Sequence, residues 1–413
     1  MRDGVWTVLL VIALAAGCGR TAKAPEGVLF KDDAMFLKAH TKAFILTARD
    51  NRAQVAVNPD LQGRVMTSTA DGPDGLSFGW INREVLASGG NNLHMNAFGG
   101  EDRFWLGPEG GQFSIFFKER DPFDLDHWFT PRPINEGAFD VISRKPDRIR
   151  FRKVMHLVNY SRTEFDLELD REVRLLAADE VKAFGIPVPA GVKMVAFASD
   201  NRITNTGTKE WTKATGLLSI WILGMFNPSP ATTIVIPFMT DPQADLGPVV
   251  NDAYFGKVPA GRLVVRDKDG ILFFSGDGKY RSKIGLPPQR VKPFAGSYDA
   301  ARKVLTIIHV TIPAGATDYV NSMWKIQDDP FAGDVVNSYN DGPAAPGAKP
   351  LGPFYELESS SPAAALKRGE SMVHVHATIH FQGPEKALDE IARAAFGAGL
   401  ADIATALKKS PAA

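Results

Sequence analysis

The stretch Leu263-Val264-Val265-Arg266-Asp267-Lys268-Asp269-Gly270-Ile271-Leu272-Phe273-Phe274 is two short β-branched and apolar runs joined by a polar link. Asp269-Gly270 supplies the positive φ angles that a tight turn asks for, so the stretch reads as a β-hairpin. Outward from it the same period of two returns at Phe44 and Leu46, at Val55 and Val57, and at Phe165, Leu167 and Leu169. Turn chemistry separates these runs: Asp50-Asn51, Asp71-Gly72, Asn205-Thr206-Gly207 and Asp277-Gly278. Many short strands with frequent turns predict an all-β fold, a large antiparallel β-sandwich.

Two ends depart from this pattern. Met35, Phe36 and Leu37 within Phe30 to His40 predict one or two helical turns. From Pro384 onward, Leu388, Ile391 and Phe396 fall on one helical face, with Pro384 at the first position and Gly397 as the stop. A second, weaker turn is expected at Ala401 to Lys408. The chain thus divides into a leader at 1–18, a linker at 19–29, one sandwich domain at 30–383 and a short helical tail at 384–413. Two further segments, Gly89 to Gly111 and Gln327 to Pro353, are long, polar and glycine-rich. Such segments inside a compact domain are usually functional, and both read as walls of a binding site.

Lys and Arg total 47, as do Asp and Glu, giving a formal net charge of zero. Nucleic acid binding needs clustered cations to release counterions, and the sequence carries no such stripe. Cys18 is the single cysteine of 413 residues, which excludes disulfides, cysteine zinc sites and thiol nucleophiles. The P-loop, zincin and calcium-loop patterns do not occur in the sequence. No cofactor is implied.

Arg2, the apolar run Val5 to Ala16 and then Gly17-Cys18 have the layout of an export signal. The run is shorter than the ~20 residues of a spanning helix. Leu14-Ala15-Ala16-Gly17-Cys18 resembles the bacterial lipobox, with Ala15 where Leu is commoner. The resemblance implies cleavage before Cys18 and its lipidation, which would fix the chain to a membrane. Gly19, rather than Asp, after the cysteine implies the outer membrane.

Several stretches resemble the galactose mutarotase-like superfamily, which contains the aldose 1-epimerases. These are Val55 to Pro59 with Gly63-Arg64-Val65, and Asn92-Leu93-His94 ahead of Gly99-Gly100. Later come Ile203 to Gly207, then Glu356-Leu357-Glu358 with Ser359 to Pro362 and Leu366 to Glu370. The run Gly99-Gly-Glu-Asp-Arg-Phe-Trp-Leu-Gly-Pro-Glu-Gly-Gly111 is similar to an uncharacterised bacterial lipoprotein family allied to it. The resemblance implies a supersandwich that binds carbohydrate and interconverts anomers without a cofactor.

That reaction needs a base for the anomeric hydroxyl and an acid for the ring oxygen. Glu358 is the candidate base. Glu356 shares its strand face and could serve instead, and the two could raise one another's pKa. His94 is the histidine matched by the resemblance, which implies contact with a substrate hydroxyl. The general-acid histidine has no clean match; His127 and His156 are candidates by position only. Asn92, Asn96, Glu101, Asp102, Arg103, Trp105, Glu109 and Arg64 are the candidate substrate-binding residues. Among them, Trp105 would offer a flat platform to a sugar ring. Trp128, Trp221 and Trp324 are assigned to the core. Lys279, Arg281 and Lys283 alternate; a solvated strand face is favoured over a grip on an acidic sugar. His374, His376 and His380 share a strand face, but with no third ligand identified by spacing no metal is assigned. Two other readings remain: a glycan-binding lipoprotein without catalysis, and an envelope scaffold that binds nothing small.

Overall fold

The computed structural model describes residues 27–407. The segment expected to be an export signal, Cys18, most of the linker and the last residues of the tail lie outside these. Within them the chain builds three sheets, each paired antiparallel throughout.

The largest sheet has ten strands. From edge to edge they are Leu263–Arg266, Ile271–Ser275, Thr232–Pro237, Phe294–Asp299, Val304–Val310, Ser371–Gln382, Lys193–Asn205, Glu164–Leu175, Arg148–Val158 and Asp140–Lys145. A five-stranded sheet lies over it, in the order Ser282–Leu286, Val336–Asn340, Tyr355–Ser360, Ser219–Phe226 and Arg103–Gly107. A smaller three-stranded sheet, Phe44–Thr47, Gln54–Asn58 and Arg64–Thr69, completes the set.

The alternation of side chains along each strand dictates the layering. Leu272 and Phe274 of the large sheet meet Ile284, Leu286 and Leu357 of the smaller one in a shared core. On the opposite face of the large sheet, Phe273, Leu305, Ile307, Ile379 and Phe381 pack against two helices, Glu385–Phe396 and Leu400–Thr405. Leu388 and Ile391 are wholly buried there. Burying such a side chain stabilises by about 1.5–3 kcal/mol, so the tail is part of the folded unit. Gly397 caps the first of these helices at φ 77°. Pro384 stands one residue earlier than expected, as the cap and not the first helical residue.

The quoted stretch does form a hairpin, with Arg266 opposite Ile271 and Leu263 opposite Phe274. Its link differs in detail. Asp267–Asp269 winds into a 3-10 turn, and only Gly270 takes the left-handed conformation. The first helix, Phe30–His40, is also longer than expected, at 11 residues. Asp32 and Asp33 in its first turn and Lys38 and His40 in its last complement the helix dipole. Asp33 is buried and accepts from Ser77 Oγ and the Arg83 guanidinium. Phe30, Ala34 and Leu37 are buried on the same face, so an apolar stripe and the Asp33 anchorage together hold the helix over its full length.

The two loop-like segments each contain a strand of the five-stranded sheet, Arg103–Gly107 in one and Val336–Asn340 in the other. Gly99 and Gly100 lead into the former at φ +89° and +112°. A Cβ on Gly99 would sit 2.1 Å from the Trp80 carbonyl oxygen. Only glycine fits so close an approach of two backbones.

Candidate functional site

Tyr355–Ser360 holds the key to the site. Tyr355, Leu357 and Ser359 point inward to the large sheet, so Glu356 and Glu358 point out of the opposite face. Cross-strand register carries that face across the whole small sheet. Lys283 is opposite Tyr339, Tyr339 opposite Glu356 and Glu356 opposite Met225. One row along, Asn337, Glu358, Leu223 and Arg103 align, and beyond them Trp221 faces Trp105.

This outer face is the floor of a cavity of about 350 Å³. Loops close its sides, with Asn92, His94 and Met95 on one, Leu125, Asp126 and Trp128 on another, and Asp341, Lys349, Leu351 and Phe354 on a third. Trp105, Trp128, Trp221 and Trp324 all line it. The Trp105 and Trp221 rings meet edge to face at 5.5 Å, and Trp128 stacks on Trp324 at 6.0 Å.

Four charged groups are set into this floor. Relative exposures are 0% for Glu358, 5% for Glu356, 3% for Arg103 and 7% for Lys283. Glu358 Oε2 accepts from Lys283 Nζ at 2.8 Å and from Trp221 Nε1 at 2.9 Å. Glu356 Oε1 accepts from Arg103 at 3.2 Å, and the guanidinium lies 4.1 Å over the Trp105 ring. Burial pushes the Glu356 carboxyl up to about 8, with Arg103 pulling the other way and Glu358 adding to the rise. Burial also raises Glu109 above the ordinary carboxylate range. For Lys283, burial works against the charge, but Glu358 and Glu109 outweigh it and hold its pKa above the usual value.

Buried polar atoms nearly always have partners. Here Glu358 Oε1, Arg103 Nε and Trp128 Nε1 have none among the described residues. Two donors thus remain on residues that line the chamber, and one acceptor on Glu358, buried beneath its floor.

The expected site residues divide sharply. Glu356, Arg103, Trp105, Glu109, His94 and Asn92 line this chamber, while Glu358, on the same sheet face, is wholly buried and does not line it. His94 Nδ1 lies 2.6 Å from the Trp128 carbonyl oxygen, and its ring stacks on Phe129. Asn96 instead ties the loop together: its side chain accepts from the Asn92 backbone and donates to Asn91 and to the Asn135 carbonyl.

Glu101, Asp102 and Arg64 are buried on the other side, away from the cavity. Asp102 pairs at 2.6 Å with Arg171 of the large sheet, both wholly buried. Glu101 accepts from the Ser68 backbone and hydroxyl, and meets His380 at 3.0 Å. Arg64 donates to the Gly99 carbonyl and to Gln62. These three residues clamp the sheets together.

The histidine row follows the same logic. His374 and His376 both bond the Ser359 hydroxyl at 2.8 Å, linking the two sheets. Among the described residues, no three His, Cys, Asp or Glu gather in a way that would hold a metal ion. His156 lies exposed on the large sheet beside Asp166, and His127 pairs with Asp124 in a loop. Neither lines the cavity.

Two expectations need correcting. Trp128, Trp221 and Trp324 are not plain core: each presents a surface to the cavity. Lys283 is no solvated strand residue but a buried partner of Glu358. The alternation of Arg281 and Lys283 with small and apolar neighbours was a legible signal for a buried cation. The sequence offers no comparable mark for Tyr339, Phe354 and Asp341, whose place depends on loop closure.

Among protein families, the one described as "Family of unknown function (DUF6786)" matches residues 28–407. The chain belongs to this family. No curated protein matches this DUF6786 member. Among solved structures it is similar to a candidate aldose 1-epimerase from Escherichia coli K12, at 10% identity and a TM-score of 0.48, over 83% of this chain and 99% of the other. It is also similar to the Slr1438 protein from Synechocystis sp. PCC 6803, at 13% identity and a TM-score of 0.47, over 83% and 96%. A third is a galactose mutarotase-like protein from Lactobacillus casei ATCC 334, at 10% identity and a TM-score of 0.45, over 82% and 100%. All three likenesses are of fold, at low identity.

Proposed function

We propose that this DUF6786 protein binds a carbohydrate in the tryptophan-lined chamber and exchanges its anomers by acid and base catalysis. The carrying observation is the pair of buried carboxyls on one sheet face, Glu356 in the chamber lining beside four indoles and Glu358 two residues on, buried beneath that lining. Flat apolar walls suit the faces of a pyranose ring, while a few fixed polar groups suit its hydroxyls. The cavity volume falls within the range of small-ligand sites.

Two carboxyls in unlike surroundings can divide the work of acid and base. Glu356, pushed up to about 8, is mostly protonated at neutral pH and can donate. Glu358, with one oxygen held by Lys283 and Trp221 and the other unpartnered, can accept. In the reaction, Glu358 takes the proton of the anomeric hydroxyl while Glu356 gives its proton to the ring oxygen. The bond from C1 to that oxygen breaks, leaving the open aldehyde. Rotation about the bond from C1 to C2 and reversal of both transfers close the other anomer. This assigns the acid's role to a carboxyl, where the resemblance implied a histidine.

The complete burial of Glu358 favours a second reading, a binder without catalysis. The place of work proposed for either is outside the cytoplasm, with Cys18 carrying the lipid that holds the protein at a membrane, the outer one by the reading of Gly19.

Anomer exchange followed by NMR on freshly dissolved aldoses tests these readings. Faster exchange with protein, lost in Glu358→Gln, is the expected result. Saturation transfer to the sugar without faster exchange leaves the binder. Neither signal across a panel of neutral and acidic sugars leaves a scaffold and removes the carbohydrate reading.

A further inference from the structure

The chamber's mouth holds a cation that, among the described residues, makes no direct hydrogen bond or ion pair, although Asp341 and Glu109 are close enough to feel its charge. Arg281 lines the cavity one strand position before the buried row, and its guanidinium lies 3.8 Å over the Phe255 ring. That stacking fixes the plane of the group, and Phe255 in turn meets the edge of Tyr339. One candidate partner, Asp341, has both oxygens engaged by hydrogen bonds: one accepts from the Tyr339 hydroxyl at 2.8 Å and the other from the Gly352 amide at 2.9 Å.

Lys283, two residues on, faces the same chamber, so the edge strand presents two cations in line, one spent on Glu358 and one free. The deep end adds to this. Burial leaves Glu356 mostly protonated at neutral pH, so Arg103 faces a largely neutral partner. Glu109, Asp126 and Asp341 are the other acidic side chains of the lining.

We propose that the chamber takes an anionic pyranose whose carboxylate pairs with Arg281, making a uronic acid or its glycoside the preferred ligand class. This rests on the carbohydrate reading above and narrows it. A planar guanidinium matches a carboxylate with two parallel hydrogen bonds. A guanidinium pairs with phosphate through the same fork, but a phosphate dianion brings two negative charges to one unpaired cation among buried carboxyls. Phe255 holds Arg281 in place, so little side-chain freedom is lost when the pair forms.

The test measures tryptophan fluorescence during titration with matched pairs: methyl β-glucuronide against methyl β-glucoside, and methyl galacturonide against methyl galactoside. Glucose 6-phosphate and glucose 6-sulfate are run beside them. The expected result is a uronide affinity about tenfold or more above that of the neutral partner. In Arg281→Gln the ratio of the two affinities should fall to near one, while Lys279→Gln, an exposed neighbour outside the cavity, keeps it. Neutral glycosides bound as well as uronides overturn the inference and leave the carbohydrate reading standing. Preference for the 6-phosphate or 6-sulfate overturns the choice of carboxylate. If no saccharide of the set binds, the broader reading fails and this one with it. Unchanged circular dichroism of Arg281→Gln separates loss of recognition from loss of fold.

Discussion

Lys283 Nζ and Glu358 Oε2 lie 2.8 Å apart although a whole strand, Val336–Asn340, runs between their own. The lysine reaches diagonally over that strand to a carboxylate with no exposed surface. Removing one partner of a buried pair leaves the other charge uncompensated, which costs roughly 3–5 kcal/mol. Lys283→Met should therefore lower the urea midpoint sharply. The double variant with Glu358→Gln should recover most of the loss, because no charge is then stranded. A single variant as stable as wild type would mean that the pair is not formed.

Glu356 gives the protein a pH dependence that runs from the mildly acid range up to about pH 8. Its folded pKa, about 8, stands above the ordinary carboxylate value of 4.5, so between those values the folded state holds a proton that the unfolded state has lost. Stability should then fall as pH rises through this window and level off beyond the folded pKa. Thermal melts at pH 6.5 and 8.5 should show a lower midpoint at the higher pH, and Glu356→Gln should flatten the difference. An equal slope in that variant would assign the dependence to other groups.

The sandwich was legible because period-two alternation and Asp-Gly or Asn-Gly turns are local signals, and local chemistry fixed the hairpin at Leu263 to Phe274. Within the site, Glu356, Glu358, Arg103 and Trp105 were legible for the same reason: each is on a strand, where parity decides the face. Glu101 and Asp102 were harder. Asp102 lies one residue before Arg103, and parity sends the two to opposite faces, so a single charged run contributes both to the clamp and to the chamber. The loop residues Tyr339 to Phe354 and the tryptophans Trp128 and Trp324 depended on how separate segments fold over the sheet, which no local period encodes.

Acid should unfold the protein through its inter-sheet histidines. Burial drives His374 down to about 3 and His376 to about 4, both below the ordinary 6.5. Between those values the unfolded state binds protons that the folded state refuses, so stability is present above pH 6.5 and is lost as pH falls toward 4. Glu356 acts in the opposite sense over part of this range, so the measurement belongs in the Glu356→Gln background. There, His376→Gln should shift the acid unfolding midpoint to lower pH. A midpoint that stays in place would show that the shared Ser359 hydroxyl is not the acid-sensitive joint.

Trp128 separates the needs of the fold from those of a ligand. Its Nε1 is buried without a partner among the described residues, although its ring stacks on Phe116 at 5.8 Å and on Trp324. A buried donor left unpaired costs about 1–3 kcal/mol, so the indole nitrogen contributes nothing favourable to folding on its own. Trp128→Phe keeps much of the stacking and removes the orphan, so its urea midpoint should match or exceed that of the wild type. Binding should move the other way: if that nitrogen meets a sugar hydroxyl, the affinity of a bound methyl glycoside should drop about tenfold, near the worth of one good hydrogen bond. A variant that binds as before but unfolds more easily would make Trp128 a structural residue, and the chamber would lose one of its two free donors.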